Sequence, residues 1–213
     1  PTQRNLGNGW NAALEGRNAA VLQSDSTDST TLLDGFVIRN GNTGGNGGGI
    51  LNTTSSARYN NLVLADNLAV NGGAIANIQS SVQITNAVFV NNTATTSGGA
   101  LYDSASTTAI TNVTVYGNTA QNGGALAAVA NSFEPIGNSV FWDNRGNEFY
   151  YNLSYSAITY SLLQTENAGQ GNITGINPWF TNPYMVAGFD GKWFTPDDGF
   201  VSTYRSPFVN NGS

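Results

Sequence analysis

The feature that most constrains this chain is a Gly-Gly phrase, followed by small and aliphatic residues, that recurs at a fixed interval. The four phrases begin at Gly47, Gly72, Gly98 and Gly123, so the intervals are 25, 26 and 25 residues. Internal repeats of this length are typical of solenoids and have to be considered before other folds. The chain is therefore expected to be an array of repeats.

A second phrase follows the glycines at a nearly constant distance, and it consists of an Asn and a short aliphatic or aromatic run. Six residues after each of these Asn residues comes another. The two columns are Asn61, Asn86, Asn112 and Asn138, and Asn67, Asn92, Asn118 and Asn144. Stacked Asn side chains form hydrogen-bonded ladders, and Asn tolerates the left-handed backbone of sharp bends. Both columns are predicted to be structural ladders at corners of the chain.

Repeat length separates the candidate folds. The apolar runs are short, and no segment shows an amphipathic helical period over ten residues or more. A propeller blade needs about 40 to 50 residues, whereas one coil of a β-helix needs only two or three short strands and their turns. The sequence predicts an all-β fold, a single-stranded right-handed parallel β-helix (β-solenoid) with coils of about 25 residues and an irregular C-terminal cap.

The 213 residues are expected to form a single domain. Residues 1–31 would make an N-terminal coil and cap, with Trp10 or Leu14 over the open end of the core. Residues 32–145 would be the regular coils, and residues 146–213 a final coil and C-terminal cap in which the aromatic tail from residue 177 closes the core. An uncapped solenoid end exposes strand edges, so end-to-end self-association into a filament is one alternative function.

Composition narrows the function classes. The net charge is −6, only 9% of residues are charged, and there is no Cys or His. A nucleic-acid partner is not expected because no basic patch is present, and membrane insertion is not expected because no apolar run approaches 18 residues. Abundant Asn, Thr, Ser and Gly with low charge is typical of a secreted or surface-displayed bacterial β-solenoid.

The motifs resemble a known family. The segment 33–38, followed by Gly-Gly-x-Ile and Asn-x-x-Phe-x-x-Asn coils, resembles the right-handed parallel β-helix domains of large bacterial surface proteins in the pectate-lyase-like superfamily. Chlamydial polymorphic membrane proteins use a similar Gly-Gly-Ala-Ile and Phe-x-x-Asn pair. Segments 160–164, 177–180 and 190–199 resemble those that close such domains. The resemblance implies an extracellular or cell-surface location.

Many β-helices of this superfamily are polysaccharide lyases or hydrolases, so catalysis has to be weighed. Glycoside hydrolysis needs two carboxyl groups within about 5 to 9.5 Å of each other. Asp66 and Asp143 share a column but lie three coils apart. The remaining acids of the coils fall in different columns, and they are Asp34, Asp103, Glu134 and Glu148. The sequence therefore predicts no catalytic residues.

An acidic loop is the best candidate for a metal site. Asp190, Asp197 and Asp198 offer the carboxylate oxygens that calcium prefers, and Gly191 and Gly199 permit tight turns. The alternative is a solvated turn whose Asp-Gly pairs serve only the backbone geometry. Calcium is accordingly a possible cofactor, and no other cofactor is expected.

Outward-facing columns supply a candidate ligand face. A column of Val residues begins at Val37, and the next column ends in Tyr116 and Trp142. Exposed apolar strips usually mark interaction surfaces, and these two aromatic rings are suited to stacking on sugars. The alternative is that the C-terminal segment folds back over the strip and covers it.

These observations favour a secreted or cell-surface, non-catalytic adhesive or structural module. Its partner would be a glycan or another host or cell-surface ligand. A polysaccharide-binding or lyase-like domain and a self-assembling extracellular filament subunit are the alternatives.

Overall fold

The described part of the chain is built from short strands. A computed structural model describes residues 11–12, 20–193, 195, 197–203 and 206. These residues form strands, turns and bends, and none of them belongs to a helix long and apolar enough to cross a membrane. The predicted covering of the core by Trp10 or Leu14 lies outside the described residues.

Strands with the same position in successive coils form four parallel sheets. The first sheet holds β1 (Asn11–Ala12), β4 (Val37–Arg39), β7 (Val63–Ala65), β11 (Val88–Val90), β15 (Thr114–Tyr116), β18 (Val140–Trp142), β21 (Leu162–Leu163) and β22 (Ile173–Thr174). The second holds β3 (Leu32–Asp34), β6 (Arg58–Asn60), β10 (Ser81–Thr85), β14 (Thr107–Thr111), β17 (Phe133–Gly137) and β20 (Tyr155–Thr159). The third holds β2 (Leu22–Asp25), β5 (Ile50–Thr53), β9 (Ile75–Ile78), β13 (Leu101–Ser104), β16 (Leu126–Val129) and β19 (Phe149–Asn152). The fourth holds β8 (Leu68–Asn71) and β12 (Thr93–Ser97).

The register of these sheets confirms the predicted fold. Val63 pairs with Val88, and Val88 with Thr114, so each coil places the same column position directly above the last. Connections between parallel strands of one sheet are right-handed in almost every known case. The chain is a right-handed parallel β-solenoid with coils of 25 or 26 residues, and the coil shortens to 22 residues between Ser132 and Ser154.

The paired glycines have two separate roles. The first glycine of each pair turns the chain with a positive φ, which is 69° at Gly98. The second leaves no room for a side chain, since a Cβ on Gly99 would overlap the carbonyl oxygen of Gly124 in the next coil. Glycine is therefore required by backbone conformation at one position and by coil spacing at the other.

The core consists of columns of apolar side chains that stack from coil to coil. Leu64, Phe89, Val115 and Phe141 are completely buried, and so are Ile84 and Ile110 on the neighbouring sheet. A second cluster lies on the outer side of the first sheet, where Val63, Ala65 and Val90 are buried as well. That outer cluster is covered by the C-terminal tail, residues 177–203, whose contacts are described below.

Candidate functional site

The second Asn column forms a continuous buried ladder, as predicted. Each Asn Nδ2 donates to the Oδ1 of the next Asn at 2.9 to 3.0 Å, from Asn67 through Asn92 and Asn118 to Asn144. Each Oδ1 also accepts the backbone N–H of the preceding Asn, and each Nδ2 donates to a backbone carbonyl, such as that of Leu64. The side chains thus satisfy backbone groups that the corner would leave unpaired.

The first Asn column serves the backbone and is mostly exposed. Asn61, Asn86, Asn112 and Asn138 all adopt the left-handed conformation, with φ between 49° and 55°. A single hydrogen bond joins two of these four residues, from Asn112 Nδ2 to Asn86 Oδ1 at 3.3 Å. The predicted left-handed bend is confirmed, but the predicted ladder is not continuous here, because exposed amides are free to bond to other neighbours and to water.

A serine ladder at another corner was not anticipated. The backbone N–H of each serine donates to the Oγ of the serine one coil further on, at 2.9 to 3.1 Å. The members are Ser55, Ser80, Ser106, Ser132 and Ser154. Their regular spacing is the signal that sequence reasoning overlooked.

Polar side chains also run through the lumen of the solenoid. Asn52 Nδ2 donates to Asn77 Oδ1 at 2.7 Å, and Asn77 Nδ2 donates to Asp103 Oδ1 at the same distance. Asn77 Nδ2 also donates to Thr108 Oγ1, and the Tyr59 hydroxyl donates to Asn52 Oδ1. The column was readable in the sequence, since Asn52, Asn77 and Asp103 each stand five residues after the first glycine of a Gly-Gly phrase.

Two of the acids assigned to separate columns meet inside this lumen. Asp103 and Glu134 are completely buried, and their carboxyl groups lie close enough for each to shift the pKa of the other. The Glu134 oxygens accept no bond from an amide or hydroxyl group. Burial raises the pKa of both carboxyls, and the charge of Asp103 raises the pKa of Glu134 further. The expectation that these acids stay apart was wrong, because columns on two different sheets face each other across the narrow lumen.

The outer face around Tyr116 is covered by the tail. Tyr116 is only 7% exposed, and its ring contacts Phe180 and Phe200 with centroid distances of 6.1 and 5.4 Å. Val186 and Trp193 pack against the same cluster. The described tail therefore lies along the side of the solenoid, although it was expected to close the end of the core.

A cleft remains where the tail leaves this face, and we call it the tail cleft. Its volume is about 350 Å³. The lining residues are Tyr116, Trp142, Asp143, Asn177, Pro178, Trp179, Phe180, Pro183 and Tyr184. Trp179 is 44% exposed and Tyr184 86% exposed, while Trp142 is half-buried. Of the predicted ligand face, Trp142 thus retains access to solvent, whereas Tyr116 is almost completely covered.

Hydroxyl and carboxyl groups meet at the Tyr116 edge of the tail cleft. Burial raises the pKa of Tyr116 to about 12, and the negative charge of Asp143 and the Tyr184 hydroxyl contribute to the rise. The Tyr116 hydroxyl therefore stays protonated beside the Asp143 carboxylate. Asp143 itself occupies a left-handed corner, and its backbone N–H donates to Gln164 Oε1 at 2.6 Å.

The acidic loop uses its carboxylates to close turns. Asp197 accepts the backbone N–H of Phe189 at 2.7 Å and the Thr195 hydroxyl at 2.8 Å, and these bonds lower its pKa. Asp190 Oδ1 accepts the backbone N–H of Lys192, and Asp198 accepts that of Thr195. Among the described residues, no three acidic side chains are grouped to hold a metal ion. Calcium binding by this loop stays a prediction.

One family model matches the chain. Residues 86–104 match the Chlamydia polymorphic membrane protein repeat, a segment that runs from the corner at Asn86 through Asn92 and the Gly98 pair to the end of β13. Searches of curated proteins and of solved structures each found no significant match. The chain is a right-handed parallel β-solenoid, and its residues 86–104 are similar to the repeat of Chlamydia polymorphic membrane proteins.

Proposed function

We propose that this chain is a non-catalytic adhesive module of a bacterial cell-surface protein and that its ligand-binding site is the tail cleft. The surface location is supported by the polymorphic membrane protein repeat at residues 86–104. Adhesion needs a site that keeps its shape under load. The solenoid supplies such a frame, because backbone hydrogen bonds and the buried Asn ladder join successive coils.

The observation that carries the proposal is the grouping of three aromatic side chains in one cleft. Trp142, Trp179 and Tyr184 line the tail cleft, where Trp179 and Tyr184 are exposed and Trp142 is half-buried. Tyr and Trp dominate binding sites because they offer a large apolar face together with a polar tip. Exposed apolar side chains that are grouped in one place usually mark an interaction site, whereas a single exposed ring such as Phe189 is common on protein surfaces.

The acids support the non-catalytic part of the proposal. Asp103 and Glu134 are two neighbouring carboxyl groups of the described coils. Both are completely buried in the lumen, where a polysaccharide cannot reach them. Asp143 is the single acid among the described residues of the tail cleft. Glycoside hydrolysis requires two carboxyl groups beside the scissile bond.

The adhesive function is tested with beads that carry the purified protein. Beads are placed on cultured epithelial cells or on bacterial cells and exposed to shear flow. More beads with the native chain than beads coated with albumin are expected to remain attached. The double variant Trp142→Ala with Trp179→Ala is expected to lose this retention, and Phe189→Ala is the matched control because that ring is 84% exposed in the same tail but does not line the cleft. Retention of the double variant at the native level contradicts the proposed site.

The absence of catalysis is measured separately. Native protein is incubated with neutral and acidic polysaccharides and assayed for new reducing ends and for unsaturated products. Product formation that depends on protein concentration would overturn the non-catalytic assignment.

A second candidate function, head-to-tail filament assembly, is favoured by the strand edges. The third sheet has β2 and β19 as its two edge strands, and the second sheet has β3 and β20. Leu153 lies between β19 and β20 and is 79% exposed, and Tyr155, the first residue of β20, is 65% exposed. Parallel edges with exposed apolar side chains accept another copy of the same chain. Light scattering that rises with protein concentration, and that is weaker for the Leu153→Lys variant, would support filament assembly. A protein that stays monomeric at every concentration would refute it.

A further inference from the structure

We propose that the ligand of the tail cleft is a neutral saccharide chain. This inference rests on the proposed adhesive function and names the ligand class for the same site. Three features of the cleft support it: the aromatic side chains, the polar edge formed by Asp143, Tyr116 and Tyr184, and the charge.

The aromatic faces match the apolar surface of sugars. A pyranose ring presents C–H groups on one face, and flat aromatic rings stack on that face with favourable dispersion and C–H contacts. Trp142 on the solenoid and Trp179 and Tyr184 on the tail line one cleft of about 350 Å³, and Trp179 and Tyr184 are exposed there. A volume of this size accommodates small ligands such as sugar rings.

The polar edge matches the hydroxyl groups at the rim of a sugar. A carboxylate accepts hydrogen bonds, and a tyrosine hydroxyl both donates and accepts them. The Asp143 carboxylate and the Tyr184 hydroxyl each lie near the Tyr116 hydroxyl in this cleft. Adjacent hydroxyls of a pyranose can donate together to one carboxylate. The Asp143 backbone is held in place by Gln164, so the acceptor is positioned before the ligand arrives.

The backbone at Trp179 gives an independent sign of a functional position. Its φ is 51°, a left-handed conformation that is unfavourable for a bulky residue, and Trp179 does not stand at a corner of the coils. The Asn177 side chain accepts the Trp179 N–H at 2.7 Å, and the Trp179 carbonyl accepts the Thr203 N–H at 3.0 Å. The surrounding bonds thus hold a strained residue with its ring exposed, an arrangement typical of ligand-contacting positions.

Charge decides between neutral and acidic saccharides. Among the described residues that line the cleft, Asp143 is charged and no Lys or Arg is present. A uronic acid would bring its carboxylate near Asp143 with no cation to pair with it, and the whole chain carries a net charge of −6. Unpaired like charges disfavour binding, so the cleft selects against acidic sugars.

The test is isothermal titration calorimetry of the full chain with defined tetrasaccharides. Cellotetraose, mannotetraose and chitotetraose are the neutral probes, and tetragalacturonate is the acidic probe. At least one neutral probe is expected to bind saturably, and Trp142→Ala and Trp179→Ala are each expected to weaken it about tenfold. Phe189→Ala is expected to bind as the native chain does. Asp143→Asn is expected to weaken neutral binding and to raise the affinity for tetragalacturonate.

A second variant guards against loss of folding. Trp179→Gly relieves the left-handed strain, so it is expected to keep the native melting temperature while losing the sugar as Trp179→Ala does. The inference is overturned if no neutral probe binds, if tetragalacturonate binds as tightly as the neutral probes, or if Phe189→Ala weakens binding as much as Trp179→Ala.

The bead assay separates the two proposals. If native beads adhere through the cleft but no neutral tetrasaccharide binds the chain or releases the beads, the adhesive function stands and the saccharide class is wrong. If the beads do not adhere, yet a neutral tetrasaccharide binds through the tryptophans, the cleft is a sugar site and the adhesive function is wrong.

Discussion

The regular coils and the tail both bury aromatic and aliphatic side chains, but they hold them in different ways. In the coils, Phe89 lies between Leu64 and Val115 of the neighbouring coils, and paired strands join their backbones. In the tail, Phe180 and Phe200 pack on Tyr116 and on each other, and an antiparallel bridge joins residues 180 and 202. The coils are stabilised by the same strand pairing and side-chain packing in every repeat, whereas the tail is stabilised by a few individual contacts.

This difference indicates where stability and recognition reside. A position in a column is constrained by the coils on both sides, so a poor substitution there has no space in which to relax. A position in the tail is constrained by fewer neighbours, so the ring geometry of the tail cleft can differ without disturbing the frame. The candidate binding site lies where the two kinds of structure meet.

The largest expected loss of stability comes from a substitution at a paired glycine, where successive coils are in close contact. In Gly99→Ala, the new Cβ would overlap the Gly124 carbonyl oxygen and lie 2.7 Å from the Thr119 nitrogen. Coils about 4.8 Å apart cannot separate locally, so we expect a loss of about 4 kcal/mol or more in the free energy of unfolding, measured by urea denaturation. Gly44→Ala is the control, because nothing lies within 4 Å of the methyl group that it adds, and a native-like Gly99→Ala would contradict the close packing.

The next effect compares the two Asn columns. Asn92→Ala leaves the Leu64 carbonyl and both donors of Asn67 without their partner, so we expect a loss of roughly 3 to 5 kcal/mol. Asn86 acts through its left-handed backbone, with φ of 54°. Asn86→Ala is therefore expected to cost about 1 kcal/mol and Asn86→Gly close to none. Equal losses for Asn92→Ala and Asn86→Ala in thermal and urea unfolding would show that the columns have the same role.

A pH effect of intermediate size tests the lumen of the coils. Burial and Asp103 raise the pKa of Glu134 from 4.5 to about 9, so the folded chain keeps a proton that the unfolded chain releases. The free energy of unfolding is therefore expected to fall as the pH rises from 4.5 to 9, by at most about 1.4 kcal/mol per pH unit for one proton. Glu134→Gln has no proton to lose and is expected to flatten this slope. An unchanged slope in the variant would contradict the raised pKa of Glu134.

The smallest expected effect concerns the tail. Phe180→Ala removes a half-buried ring that packs on Tyr116 and Phe200, and we expect a loss of about 2 kcal/mol in tail docking with little change in the unfolding of the coils. Limited proteolysis is expected to cleave the variant in the tail before the coils. Phe189→Ala, which removes an exposed ring, is expected to resist as the native chain does. Simultaneous unfolding of the coils in Phe180→Ala would show that the tail stabilises the frame.

Sequence reasoning succeeded where the structure repeats and was incomplete where side chains of different columns meet. The repeat of the glycine pair at Gly98 and the ladder through Asn92 both follow from spacing. The exposure of Asn86 did not follow, since both Asn columns have the same period. The contact between Asp103 and Glu134 was missed because the two residues belong to different sheets and meet only across the lumen.

The period of 25 or 26 residues by itself determined the fold, because stacking identical positions is the one way in which these short strands pair and bury their apolar side chains. The position of the tail was decided by tertiary structure alone. Phe180 and Phe200 reach Tyr116 from segments with no fixed spacing, and sequence reasoning left covered and open faces as equal alternatives. The tail cleft depends on that packing, because it exists only between a periodic surface and an aperiodic one.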